Sequence, residues 1–202
     1  MMLRRRIFGE ANYHLLYSDG KAWTTTEEHV DQTTEIICKY VMPEYTKTMI
    51  VFGVASTYPT GFQYVIRSNT DRRFDVGTTN HRLTFTINND GKLHELKYDA
   101  VTGNVYYNGA IKGNVTSADL SETNYQNRYL TLYGQNSGDG SSYAVDGNTI
   151  CNAGIAQFTI KKNGVIVSNL IPAINNNVPC LYDTVKNAYR YNMNNQGSFT
   201  YI

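Results

Sequence analysis

Residues 90–109, DGKLHELKYDAVTGNVYYNG, constrain this chain more than any other stretch. Asp90-Gly91 and Asn108-Gly109 are tight-turn pairs, because Asn, Asp and Gly tolerate the positive φ that short hairpin turns demand. Between them His94, Leu96 and Tyr98 alternate with Glu95 and Lys97, the period-two pattern of a strand with one buried face. Thr102-Gly103 breaks the run, and Val105 and Tyr107 resume it. A helix has no use for that spacing. The segment is read as the central hairpin of an all-β domain.

The rest of the chain repeats the pattern. In 33–41, Thr34, Ile36, Cys38 and Tyr40 oppose Glu35, Ile37 and Lys39. Residues 48–54 form a continuous apolar run, as a buried strand does. Further strands are expected at 62–67, 72–77, 83–87, 129–134 and 154–162, the last turned by Asn163-Gly164 into 165–167. One helical turn at 117–123 is the only competitor. Strands at such short spacing, with Gly and Asn turns, mean a sandwich or barrel and exclude βαβ units. No Pro-, Ser- or Gly-rich linker divides the chain. Two parts are expected: an N-terminal arm over 1–31 and one β domain over 32–202.

Composition agrees. With 202 residues, 41% of them hydrophobic, the chain can bury a core, and a charged fraction of only 17% argues against disorder. The net charge of +1, from 18 basic and 17 acidic residues, leaves no electrostatic footprint for nucleic acid. Arg4-Arg5-Arg6 is the one basic cluster. It reads as a solvated tail or, with Trp23, as the docking part of the arm. No apolar run follows those arginines as a signal peptide requires, and no stretch approaches a membrane span. Synthesis in the cytoplasm is expected, with no membrane partner. Cys38, Cys151 and Cys180 lack ligand spacing and are expected as buried free thiols.

Chemistry leaves little trace. A retaining glycosidase needs two carboxylates aimed into one cleft about 5–5.5 Å apart. Glu27 and Glu28 are adjacent and would face opposite ways on a strand, and Glu95 and Asp99 stand near a turn. No G-x-S-x-G elbow exists. His14, His29, His81 and His94 are not at ligand spacing. The loop at 135–148 carries Asp139 and Asp146, oxygen donors of the kind Ca²⁺ takes. Two carboxylates are few, so the loop reads first as a flexible turn and no cofactor is expected. If the chain binds a sugar, Tyr133 offers a stacking ring, with Asn136, Asp139 and Asp146 to fix hydroxyls. Tyr106, Tyr107, Tyr125 and Tyr129 are further candidate rings, although tyrosine is also an ordinary strand residue.

The C-terminal part carries the most specific pattern: Asn169-Leu170-Ile171-Pro172-Ala173, Val178-Pro179-Cys180-Leu181-Tyr182-Asp183, Ala188-Tyr189-Arg190-Tyr191-Asn192 and Gly197-Ser198-Phe199. It resembles the "LIPV…VPGLYD…FYxNxGxGxF" ending of laminin-G-like, concanavalin A-like jelly-roll domains in gut bacteria and their tailed phages. Leu170, Ile171, Pro172, Val178, Pro179, Leu181, Tyr182, Asp183, Tyr189, Asn192, Gly197 and Phe199 carry the match. Cys180 stands where a small residue is usual. The hairpin resembles the same family's "GxxHxxxxD…TGxxYxNG" segment through Gly91, His94, Asp99, Thr102, Gly103, Asn108 and Gly109, and implies that His94 is structural. Residues 154–164 are similar to the strand and turn before that closing segment.

The resemblance implies an all-β, two-sheet antiparallel jelly-roll sandwich, the sheets about 10 Å apart. That family includes glycan-binding modules, adhesins, accessory domains and virion surface proteins. A bare Met-Met-Leu-Arg-Arg-Arg in place of a secretion signal tilts the reading to a non-enzymatic virion surface component: a head decoration, fibre or tail protein assembled in the host cytoplasm. Its expected partners are other virion proteins, copies of itself and a cell-surface glycan. The alternative is a bacterial carbohydrate-binding or adhesion module at the cell surface, and behind it a glycoside hydrolase.

Overall fold

The period-two segments become strands that pair into two sheets. The computed structural model describes residues 13–42, 45–55, 61–77, 81–117, 120, 127–137, 145 and 149–202. Its strands are β1 (Leu16–Ser18), β2 (Thr24–Thr25), β3 (Thr34–Val41), β4 (Met49–Ala55), β5 (Gly61–Ile66), β6 (Asp71–Gly77), β7 (Arg82–Thr86), β8 (Leu93–Asp99) and β9 (Asn104–Tyr107). They continue with β10 (Ala110–Asn114), β11 (Thr131–Leu132), β12 (Gln135–Asn136), β13 (Gly154–Lys162), β14 (Val165–Asn175), β15 (Val178–Asp183), β16 (Ala188–Arg190) and β17 (Phe199–Tyr201). The first sheet runs β10-β9-β8-β3-β13-β14-β15-β16, with β1 on β13 and β17 on β1; the second runs β2-β11-β4-β5-β6-β7, with β12 on β4. Among the described residues, pairing is antiparallel except for the short β12–β4 contact and a single Ile50–Ile150 bridge. This is a two-sheet antiparallel sandwich of the jelly-roll type.

The inner faces follow the alternation. Ile36, Cys38 and Tyr40 of β3 are fully buried, as are Leu96 and Tyr98 of β8. Phe52, Phe62, Tyr64 and Phe74 come from the second sheet, and Phe52 meets Phe158 edge-on with ring centroids 5.2 Å apart. Aromatic pairs of this geometry add roughly 0.5–1.5 kcal/mol each beyond area burial. Some inward residues break the apolar rule, Arg72 the largest of them. Arg72 of β6 is 1% exposed, and its Nη1 donates to the carbonyls of Ser68 and Asp71. Near it the hydroxyl of Tyr40 bonds those of Tyr64 at 2.6 Å and Tyr107 at 3.2 Å. Burial pushes the Tyr40 and Tyr64 phenols well above their ordinary range.

The hairpin at 90–109 is built as its sequence implies. Asn108 and Gly109 both take positive φ. The Glu95 N–H donates to Asn108 Oδ1, which leaves the Asn108 amide nitrogen facing His94 Nδ1 at 3.1 Å. His94 Nδ1 is therefore an acceptor, and Nε2 carries the proton to Asp90 Oδ1 at 2.8 Å. Burial would raise the Asp90 carboxyl, but the Lys92 N–H and His94 outweigh it and hold it below its usual range. His94 is a fastener of the turn. Gly103 is obligatory there, because its φ is +70° and a Cβ would lie 2.7 Å from the Val115 carbonyl.

Residues 13–31 differ from the expectation of a separate arm. β1 pairs with β13 and β17, and β2 pairs with β11, so this stretch supplies a strand to each sheet. Trp23 is 8% exposed and belongs to the core, which corrects its assignment as a docking side chain. The C-terminal signature explains why. Asn192 Oδ1 accepts from the Trp23 and Asn194 N–H groups, and its Nδ2 donates to the carbonyls of Asn194 and Gly197. A Cβ on Gly197 would meet Ala22 N at 2.4 Å. The ending closes onto residues 19–23. Arg4, Arg5 and Arg6 lie outside the described residues.

The remaining differences are local. The strand expected at 129–134 is bent: β11 ends at Leu132, Tyr133 takes a φ of +67°, and β12 follows. Of the expected turn at 117–123, the Leu120 N–H bonds the Ser117 carbonyl at 2.9 Å. The expected 165–167 strand runs on to Asn175. Pro172 is tolerated because β13 pairs with β14 only as far as Leu170, leaving the second half of β14 with β15 alone. Cys38, Cys151 and Cys180 are buried free thiols. Burial pushes the Cys151 thiol up to about 12.

Candidate binding face

Two of the expected ligand residues are withdrawn by burial. Tyr133 is fully buried, packs against Phe199 with centroids 5.1 Å apart and donates its hydroxyl to the Leu16 carbonyl. Asn136 is also fully buried, and its amide donates to the Tyr129 carbonyl. Both hold the bent β11–β12 segment against the core, so neither ring nor amide faces a ligand. Tyr107 is likewise interior at 3% exposure, whereas Tyr106 sits outside under the Lys97 ammonium. Asp139, Asp146 and Tyr125 lie outside the described residues, so the expected sugar and Ca²⁺ contacts of that loop have no structural account. Among the described residues, no three His, Cys, Asp or Glu side chains are grouped to hold a metal.

Exposed apolar surface points elsewhere. Nine of the thirteen exposed large hydrophobic side chains among the described residues fall between Val165 and Met193. This is the β14–β15–β16 end of the first sheet. Register places Ile171, Tyr182 and Tyr189 directly opposite one another across the three strands. Their neighbours Leu170, Leu181 and Arg190 point inward, so period-two alternation sends this row out. Tyr189 is 42% exposed and Tyr191 41%. The Tyr182 and Tyr189 ring centroids are 5.0 Å apart, and those of Tyr189 and Tyr191 are 6.3 Å apart.

Short amide side chains fix those rings. The Tyr182 hydroxyl donates to Asn187 Oδ1, and Asn175 Nδ2 donates to the Tyr191 hydroxyl. Asn176, Asn177 and Asn187 take positive φ and form the turns that return each strand. Beside the rings lies a neutral polar ladder. Asn169 Oδ1 accepts from Gln157 Nε2 and Thr159 Oγ1, both at 2.8 Å, and Asn169 Nδ2 donates to Thr184 Oγ1 at 2.9 Å.

Below the row, Asp183 locks the turn into β16. It is fully buried and accepts from Ser168 Oγ and from the N–H groups of Asn169, Val185 and Lys186. Burial raises its carboxyl, but these donors outweigh that and hold it below the usual carboxylate range. Asp183 is thus the structural reason for the Leu-Tyr-Asp triplet. It is enclosed and takes no part in the outer face.

The other half of the same outer face is ionic. Glu35 pairs with Lys97 and Lys161, and Lys39 pairs with Glu95 at 3.8 Å. Burial raises the Glu35 carboxyl, yet the two ammonium groups bring it below its ordinary value. The face is therefore divided at β13. On one side charges are mutually satisfied; on the other, aromatic rings and amides stand uncharged. Rings and amides of this sort can stack an apolar sugar face and bond its hydroxyls. They hold no nucleophile, general base or metal ligand. Tyr133 belongs to the expected strand at 129–134, and the bend after Leu132 turns its ring inward, whereas the outward placement of Tyr182 and Tyr189 follows from the register of β14, β15 and β16.

No protein family matches the chain by sequence, and no curated protein does. Among solved structures, the chain is similar to mouse laminin alpha1 chain, domains LG4-5, at 16% identity and TM-score 0.46, over 77% of this chain and 40% of that one. It is also similar to a heptameric SAP-like pentraxin from Limulus polyphemus at 12% identity and TM-score 0.43, over 76% of this chain and 71% of that one. The sheet topology above carries the fold assignment.

Proposed function

We propose that this chain is a non-enzymatic adhesion module of a virion surface, binding neutral glycan through the outer face of β14, β15 and β16. The observation that carries the binding part is the solvent-facing row of Ile171, Tyr182, Tyr189 and Tyr191 beside the Asn169 ladder. The site is uncharged and its rings are held by Asn175 and Asn187, so little side-chain freedom is lost on binding. The virion setting is supported by the resemblance of the C-terminal motif to domains of gut bacteria and their phages.

Two measurements test the reading. An array of neutral and acidic glycans, paired with a reducing-end assay, should give binding to neutral glycans with no release of new ends; release would make the chain a hydrolase. Immunodetection on purified particles should place the chain on the virion. Its presence only on the bacterial surface would transfer the same module to the cell.

A further inference from the structure

The outer face of the second sheet carries an arrangement that adhesion through β14–β16 does not use. Gln63 of β5 stands opposite Asp75 of β6, and Asp75 stands opposite Arg82 of β7. Arg73 lies on the same face, two residues before Asp75. Asp75 points away from the core and is nevertheless only 3% exposed. Its Oδ1 receives Arg82 Nε at 2.8 Å, and its Oδ2 receives Gln63 Nε2 at 2.8 Å. Arg73 Nε lies 2.9 Å from Oδ2.

Arg82 thus turns its Nε edge to the carboxylate, whereas Arg73 sits against it as an ion pair whose Nε makes no hydrogen bond among the described residues. Their Nη groups have no partner among the described residues, and the two side chains keep 20% and 33% of their surface in solvent. Arg67 joins them, paired loosely with Asp71 at 3.5 Å. Three cations meet two carboxylates. Burial, and behind it Arg82 and Arg67, lowers the affinity of Arg73 for its proton against the pull of Asp75. Gln63 Oε1 is buried and has no hydrogen-bond partner among the described residues.

We infer that Arg73 and Arg82 form an oxyanion site, with Asp75 as the buried counter-charge that fixes both guanidinium groups in place. Planar guanidinium edges match the paired oxygens of a sulfate or carboxylate, and a fork already held against a buried carboxylate loses little freedom on binding. The unpartnered Gln63 oxygen suits a hydroxyl on the molecule that carries the anion. An oxyanion here neutralises the uncompensated cation, which chloride does less well because it cannot bridge two forks.

The test is a titration of the full chain followed by NMR of arginine Nε–Hε signals, with sodium sulfate, sodium acetate and sodium chloride at matched ionic strength. Sulfate or acetate should shift the Arg73 and Arg82 signals along a saturating curve, and which of the two saturates separates a sulfate from a carboxylate source. Arg82→Gln should weaken that binding at least tenfold, and Arg82→Lys should recover only part of it. Arg73→Gln serves as the second variant should Arg82→Gln fail to fold. Shifts that grow linearly and equally in all three salts overturn the site, as does saturable binding that survives both glutamine variants.

Discussion

The two halves of one sheet face solve the same problem in opposite ways. Around β8 and β3, the outward face carries long charged side chains that meet one another: Glu35 with Lys97 and Lys161, and Glu95 with Lys39. Such a surface is saturated by itself and offers a ligand little that water does not. Around β14 to β16, the outward side chains are rings and amides. The amides satisfy one another or the ring hydroxyls, while the ring faces stay open to solvent. Water gains nothing from an exposed ring face, so covering it is favourable by about 25 cal/mol per Å². The contrast shows where a neutral sandwich can bind without a cleft.

Asp183→Ala should have the largest effect on this contrast, because it removes the support beneath the aromatic half. Ser168 and three backbone N–H groups lose their acceptor, at a cost of about 2–4 kcal/mol by denaturant titration. Asp183 also sets a pH dependence. Its folded carboxyl is held below the unfolded value near 4, so its stabilisation is complete above about pH 4 and is lost as pH falls through the folded value. Asp183→Asn should flatten that acid-side loss in a pH series of unfolding curves. An unchanged acid limb would remove Asp183 from this role.

Next in size is the double change Tyr189→Ala with Tyr191→Ala. Glycan affinity should fall at least tenfold, about 1.4 kcal/mol, while the unfolding midpoint moves little because both rings are already exposed. Equal loss of binding and stability would mean that the rings serve the sheet instead. Glu35→Gln tests the opposite half. It leaves Lys97 and Lys161 facing each other and should cost about 1 kcal/mol, a difference that shrinks in 1 M salt while glycan binding stays constant. Lys97→Ala should be the smallest change: within about 0.5 kcal/mol in stability, and no change in glycan affinity.

How much of this was legible in the sequence depended on range. Period-two alternation placed β3, β8 and β13 because each strand reads its own burial, and Asn108-Gly109 announced its own turn. Trp23 was misplaced because its burial depends on Asn192 and Gly197, far along the chain, and no local pattern reports that contact. Tyr133 failed for a related reason. It belongs to the strand expected at 129–134, but the chain bends after Leu132, Tyr133 takes a φ of +67°, and its hydroxyl closes onto Leu16. Arg72 sat in a correctly expected strand, but nothing local marks a cation that turns inward and bonds carbonyls of its own preceding turn. The aromatic row needed the register of three strands. Tyr182 and Tyr189 are seven apart in sequence, and only the β15–β16 turn brings them face to face.

The central claim is that adhesion belongs to the neutral half of the first sheet. The direct measurement is a chemical-shift map of the full chain with whichever neutral glycan the array selects. Saturating shifts should be confined to Ile171, Tyr182, Tyr189, Tyr191 and the Asn169 ladder, with Glu35, Lys39 and Lys97 silent. Shifts centred on the ionic half, or on the second sheet around Asp75, would contradict it.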